Sequence, residues 1–125
     1  MSDEGTLFKN IAPFVNSGAL GDFSAWRILA YPALVDKNLT AFNINQIQLA
    51  RHLIATYLNS NVIANFPVTL ATMKDMWEKG SLDKYCPSSS CTASQLWTAQ
   101  QVVCYLRNYT MDSTVSTDPI TWVCP

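Results

Sequence analysis

Charged side chains are scarce in this sequence. Only 14% of its 125 residues are Asp, Glu, Lys or Arg, where about a quarter is usual. The eight Lys and Arg are scattered and the formal charge is -1, so no surface is basic enough to hold a phosphate backbone, and nucleic acid is excluded as a partner. Glycine is also sparse, with four residues, and neither a glycine-rich phosphate cradle nor a G-x-S-x-G nucleophile elbow occurs. No apolar run reaches the roughly eighteen residues of a membrane span, because Asp36, Lys37, Arg51, His52 and many Asn and Gln interrupt each candidate. The opening Met1-Ser2-Asp3-Glu4-Gly5 is acidic and lacks the basic-then-apolar pattern of an export signal.

What is present is an apolar fraction of 49% beside 22 Ser and Thr and nine Asn. This uncharged hydrophilic surface suits an extracellular protein or an assembly subunit. The length suits one domain, residues 1–125, with a single core.

The cysteines, Cys86, Cys91, Cys104 and Cys124, fall late in the chain, separated by 4, 12 and 19 residues. These spacings contain no C-x-x-C redox or zinc knuckle and no haem attachment motif. Two disulfides are the preferred reading, Cys86 with Cys91 and Cys104 with Cys124. The longer link would contribute about 3 kcal/mol through loop entropy. Pairing Cys86 or Cys91 with Cys104 stays open, as do free or metal-bound thiols. Disulfides imply an oxidising compartment. That agrees with the acidic start if a start methionine replaces the signal or if the chain is a piece of a larger exported protein; a cytoplasmic protein with free thiols is the third reading. Asn38-Leu39-Thr40 and Asn108-Tyr109-Thr110 match the glycosylation acceptor pattern.

Apolar periodicity predicts four to five short helices. Leu7, Phe8, Ile11, Phe14 and Val15 share helical spacing over Thr6–Val15, with Asn16-Ser17-Gly18 as a stop. A short helix from Ser24 carries Trp26, Ile28 and Leu29 and is ended or kinked by Pro32. The clearest helix runs from Ile44 to about Leu58, opened by a capping box of Asn43 and Gln46 and a hydrophobic staple between Phe42 and Ile47. Its apolar stripe is Ile47, Ala50, Leu53, Ile54, Tyr57 and Leu58; Gln48, His52 and Thr56 lie off it, and Asn59-Ser60-Asn61 ends it. The next starts at Thr69, turns Leu70, Met73, Met76 and Trp77 inward, and closes at Gly80 through a left-handed cap. The last starts at Thr98 with Gln101 as box partner, and Val102, Val103, Leu106 and Tyr109 face the core in part. The tail from Thr110 is expected to be extended, anchored by Cys124. The fold class is therefore all-α, a bundle with a disulfide-tied C-terminal loop and an extended tail.

No catalytic, cofactor or metal site emerges. His52 is the one histidine, and its helical neighbours Gln48, Leu49, Ala55 and Thr56 include no acid to orient it. It reads as a polar-edge residue or one bonded to a backbone carbonyl. Asp75, Glu78 and Lys74 read as surface charges, and Asp83, Asp112 and Asp118 lack the spacing of a calcium loop. Among the aromatic residues, Trp122, Tyr85, Tyr31 and Phe8 are the candidates for an interface, where large rings bury area at little entropy cost. The same rings could stack on a glycan.

Leu49-Ala50-Arg51-His52-Leu53-Ile54-Ala55 leading to Leu58-Asn59, Pro67-Val68-Thr69 before Trp77, and Trp97-Thr98-Ala99-Gln100-Gln101-Val102-Val103 before Tyr105-Leu106 together resemble an uncharacterised helical domain of bacterial exported and surface proteins. The resemblance covers about Leu49 to Thr110. It implies export and an architectural or surface-associated role, with no catalytic residues to carry across. The sequence departs from that pattern in Cys86, Cys91 and Cys104 and in lacking a glycine- and tryptophan-rich opening. The resulting expectation is a non-enzymatic extracellular or cell-surface subunit that assembles with copies of itself or with a surface partner. A secreted protein- or glycan-binding module is the alternative, and a small enzyme or enzyme inhibitor the third.

Overall fold

The computed structural model describes residues 5–30 and 43–109. Four α-helices occur there: α1 (Ala25–Ala30), α2 (Ile44–Val62), α3 (Leu70–Gly80) and α4 (Ala99–Tyr109). Short 3-10 turns at Phe8–Asn10, Ala12–Phe14, Gly18–Asp22 and Ala93–Gln95 complete the regular structure. Among the described residues there is no strand, only two isolated antiparallel bridges, Leu7 with Ser24 and Tyr85 with Trp97. The fold is all-α. The Phe42 half of the staple, Pro32, the tail from Thr110 and both sequon asparagine side chains lie outside what is described.

Helix α2 is the axis, packed against α1, α3 and α4. Its start follows the local chemistry: the Gln46 amide donates to Asn43 Oδ1 at 2.9 Å, and the Asn43 amide donates to Gln46 Oε1 at 2.8 Å. Two amides at the helix N-terminus that lack an intrahelical partner are thereby satisfied. Helix α4 repeats the device, with Gln101 N–H to Thr98 Oγ1 at 3.2 Å and Thr98 N–H to Gln101 Oε1 at 2.8 Å. For α3 the Thr72 amide donates to Thr69 Oγ1 at 3.2 Å, a cap of the kind that contributes about 1 kcal/mol.

The N-terminal segment is not the predicted helix. Ile11 is extended (φ -89°, ψ 125°) and separates two 3-10 turns, the second with Pro13 in its first turn. In a continuous α-helix Pro13 would leave the Lys9 carbonyl without a donor and press its ring against it. Tighter turns deliver Phe8, Ile11 and Phe14 inward all the same. Phe8 stacks on Phe14 at 4.7 Å and meets the buried Trp77 edge-on at 5.1 Å, while Trp77 Nε1 donates to the Asn16 carbonyl at 3.1 Å. The segment is thus locked onto α3.

Three further expectations are corrected. Asn59-Ser60-Asn61 does not end α2, which runs on to Val62; Ser60 returns its hydroxyl to the Tyr57 carbonyl at 2.6 Å and so fits within the helix rather than breaking it. Gln48 and Thr56, placed off the apolar stripe, are both buried, because a helix with neighbours on several sides has little solvent face. Gly80 forms no left-handed cap: it is the last residue of α3, and the positive φ of 59° belongs to Asp83. A Cβ on Gly80 would stand 3.3 Å from Leu49 Cδ2 and 3.4 Å from Val102 Cγ2, so the glycine is there to let α2, α3 and α4 meet.

Candidate functional site

The long α2 carries the chain past its neighbours before turning back. Ile63, extended, breaks the helix, Asn65 takes a left-handed conformation (φ 57°), and the chain re-enters a helix at Thr69. Between the end of α2 and the start of α3 lies an open groove of about 590 Å³, formed along the chain from Ser60 to Leu70. Val68 is buried beneath the loop, and Phe66 packs partly against the core. Val62, Ile63 and Leu70 instead stand 76%, 48% and 47% exposed. The inward orientation expected for Leu70 is therefore wrong: it stands at the first position of α3, at the rim, where the neighbouring Val68 takes the buried place.

No groove residue is charged; the polar part is Ser60, Asn61, Asn65 and Thr69. An ion entering here would find no opposite charge, and the lining mixes polar with apolar side chains, so the surface suits an uncharged occupant. Sequence reasoning missed this site. The signal was present: from His52 to Met73 no Asp, Glu, Lys or Arg occurs, although Asn59-Ser60-Asn61 reads as a stop and hides the apolar residues that follow.

The sequence-predicted interface residues fare differently. Phe8 is fully buried, so it cannot anchor a partner. Tyr85 is also buried, its ring 6.1 Å from that of Trp97, which lies 5.7 Å from Tyr105; burial, followed by the charge of Asp75, holds its phenol above the ordinary value. Both belong to the core, where large rings fill the centre of a small bundle. Trp122 and Tyr31 lie outside the described residues.

Cys86 and Cys91 are joined, their Cα atoms 5.9 Å apart, and close the Pro87-Ser88-Ser89-Ser90 loop. Cys104 also stands in a disulfide; its expected partner Cys124 lies outside the described residues. His52 Nδ1 donates to the Gln48 carbonyl at 2.7 Å, and the His52 carbonyl accepts from Thr56 Oγ1 at 2.7 Å. These contacts are internal to α2. The acids of α3 are in surface pairs, Lys74 with Glu78 at 2.9 Å and Lys79 with Asp75 at 3.1 Å. Hydrogen bonds from Lys74 and from Asn16 hold the Glu78 carboxyl below its ordinary range. Among the described residues no group of three or more His, Cys, Asp or Glu could hold a metal ion, and no helix is long and apolar enough to cross a membrane.

Compared with protein-family models, curated proteins and solved structures, the chain matches none.

Proposed function

We propose that this chain is a non-enzymatic structural subunit of an extracellular or cell-surface assembly, which joins copies of itself through the groove between α2 and α3. The observation that carries the reading is the clustering of Val62, Ile63 and Leu70, all exposed, in a depression without a charged residue. Phe66 is the one aromatic side chain of its lining, which favours protein contact over sugar stacking on aromatic rings. The Cys86–Cys91 bond supports an oxidising setting, and the resemblance of Leu49–Thr110 to an exported helical domain agrees with it.

The test is the native mass under non-reducing conditions over a wide concentration range. Species heavier than the 13.9 kDa chain, growing with concentration, are expected. A monodisperse monomer throughout would overturn the reading.

A further inference from the structure

The loop closed by Cys86 and Cys91 is rich in hydroxyls, and the groove gives it no role. Five of the seven residues from Ser88 to Ser94 are Ser or Thr, and from Tyr85 to Leu106 no Asp, Glu, Lys or Arg occurs. Pro87 to Ser90 and Thr92 to Gln95 are exposed. The disulfide closes the tip and the Tyr85–Trp97 bridge closes the base, so these hydroxyls are presented to solvent from a fixed place on the molecule.

Two of them are not engaged by the fold. Ser88 Oγ donates to the Ser90 carbonyl at 2.9 Å and lies 3.4 Å from Cys91 Sγ, and Thr92 Oγ1 pairs with Ser94 Oγ at 3.1 Å. The Ser89 and Ser90 hydroxyls make no hydrogen bond among the described residues. Elsewhere hydroxyls are committed to the backbone: Ser24 accepts from the Arg27 amide, Thr69 and Thr98 cap helices, and Thr56 and Ser60 donate to carbonyls of α2. A group added at Ser89 or Ser90 would therefore break no bond that holds the structure and displace no buried atom.

The surroundings select the group. A phosphoryl group brings about two negative charges, and the loop holds no Lys or Arg to meet them. The Cys86–Cys91 bond also belongs to an oxidising compartment, outside the reducing cytosol. A sugar is uncharged, bulky and fully hydrated at an exposed tip. Building on the extracellular reading, we propose that Ser89 and Ser90 are acceptors for O-linked glycosylation by a transferase that uses a nucleotide sugar. The serine Oγ attacks the anomeric carbon and forms the glycosidic bond. The bond from that carbon to the donor's phosphate oxygen breaks, the nucleoside diphosphate leaves, and the hydroxyl proton passes to a base of the transferase. Leu70, at the start of α3, lines the groove, whereas the loop follows the end of α3, 11 residues on and about 16 Å away along the helix. The sugar would thus cover one end of the molecule and leave the groove open.

The test is mass spectrometry of the full chain isolated from the cells that make it. After reduction, the tryptic peptide from Tyr85 to Arg107 should carry added mass in steps of a hexose or an N-acetylhexosamine. Electron-transfer fragmentation should place the sugar on Ser89 or Ser90, and mild alkali should eliminate it. Expressed in the same cells, a chain with Ser89→Ala and Ser90→Ala should lose the added mass from this peptide, while Ser94→Ala keeps it. All three positions are exposed, and circular dichroism establishes that both variants fold as wild type does. A chain recovered outside the cell with its disulfides formed, but with this peptide at its unmodified mass or carrying phosphate, would overturn the modification and leave the extracellular reading standing. Added mass that persists in the double variant would do the same. A chain found only inside the cell, with its cysteines reduced, would overturn both.

Discussion

Gly80 offers a check on the packing where three helices meet. In a helix, glycine replaced by alanine ordinarily gains about 1 kcal/mol through backbone entropy. Here the new methyl would sit 3.3 Å from Leu49 Cδ2 and 3.4 Å from Val102 Cγ2, closer than carbon atoms prefer, and Leu49 and Val102 are fully buried on two different helices. Both methyls would have to give by a few tenths of an ångström within a filled core, and overpacking there costs about 1–3 kcal/mol. Gly80→Ala should therefore show none of the expected gain, landing at or below wild-type stability. Gly80→Val, which adds two more methyl groups at a helix terminus, should lose about 2–4 kcal/mol. The assay is urea unfolding followed by far-ultraviolet circular dichroism, with the slope required to stay constant so that the midpoint reports stability alone. Adding Val102→Ala to Gly80→Ala gives a double-mutant cycle in which the pair should be less destabilising than the sum of its parts. Gly80→Ala stabilising by the full helical increment, or Gly80→Val indistinguishable from wild type, would refute the three-helix contact.

Replacing Cys86 and Cys91 together by serine should cost no more than about 2 kcal/mol, because the link closes only a short loop, and should leave helix content intact; a global loss of structure on circular dichroism would contradict this. Glu78 has a folded pKa held down by Lys74 and Asn16, so its contribution is fully present above the ordinary carboxylate range and fades as pH falls through the lowered value. Lys74→Met should flatten the acid limb of a stability–pH profile, and an acid limb equal to that of wild type would rule out the pairing.

How much of this molecule was legible in its sequence depends on the range of the interaction concerned. The boxes at Asn43 with Gln46 and Thr98 with Gln101 are complete within four residues, so both helix starts could be read directly. The Cys86–Cys91 link is likewise local. The N-terminal segment shows the opposite: the apolar spacing identified which of Phe8, Ile11 and Phe14 turn inward, but the backbone that turns them was decided by Pro13 and by the bonds Phe8 N–H to Phe23 O and Ala25 N–H to Thr6 O. Gln48 and Thr56 looked like solvent-facing residues because a single helix cannot show that its neighbours cover several sides. The groove escaped notice for a related reason. Apolar character at Val62, Ile63 and Leu70 is visible in the letters, whereas their failure to find a place in the core is a property of the packed bundle.

The bridge between Tyr85 and Trp97, whose amides and carbonyls exchange hydrogen bonds at 3.2 and 2.7 Å, brackets the crosslinked Cys86–Cys91 hairpin and the 3-10 turn at Ala93–Gln95. Both feet of that excursion are gripped by the body, and its tip, Pro87 to Ser90, is exposed. Foreign sequence spliced between Ser88 and Ser89 would consequently ride on the outside without disturbing the helices, which makes this tip a natural handle for an epitope or a fluorophore at a known place on the molecule.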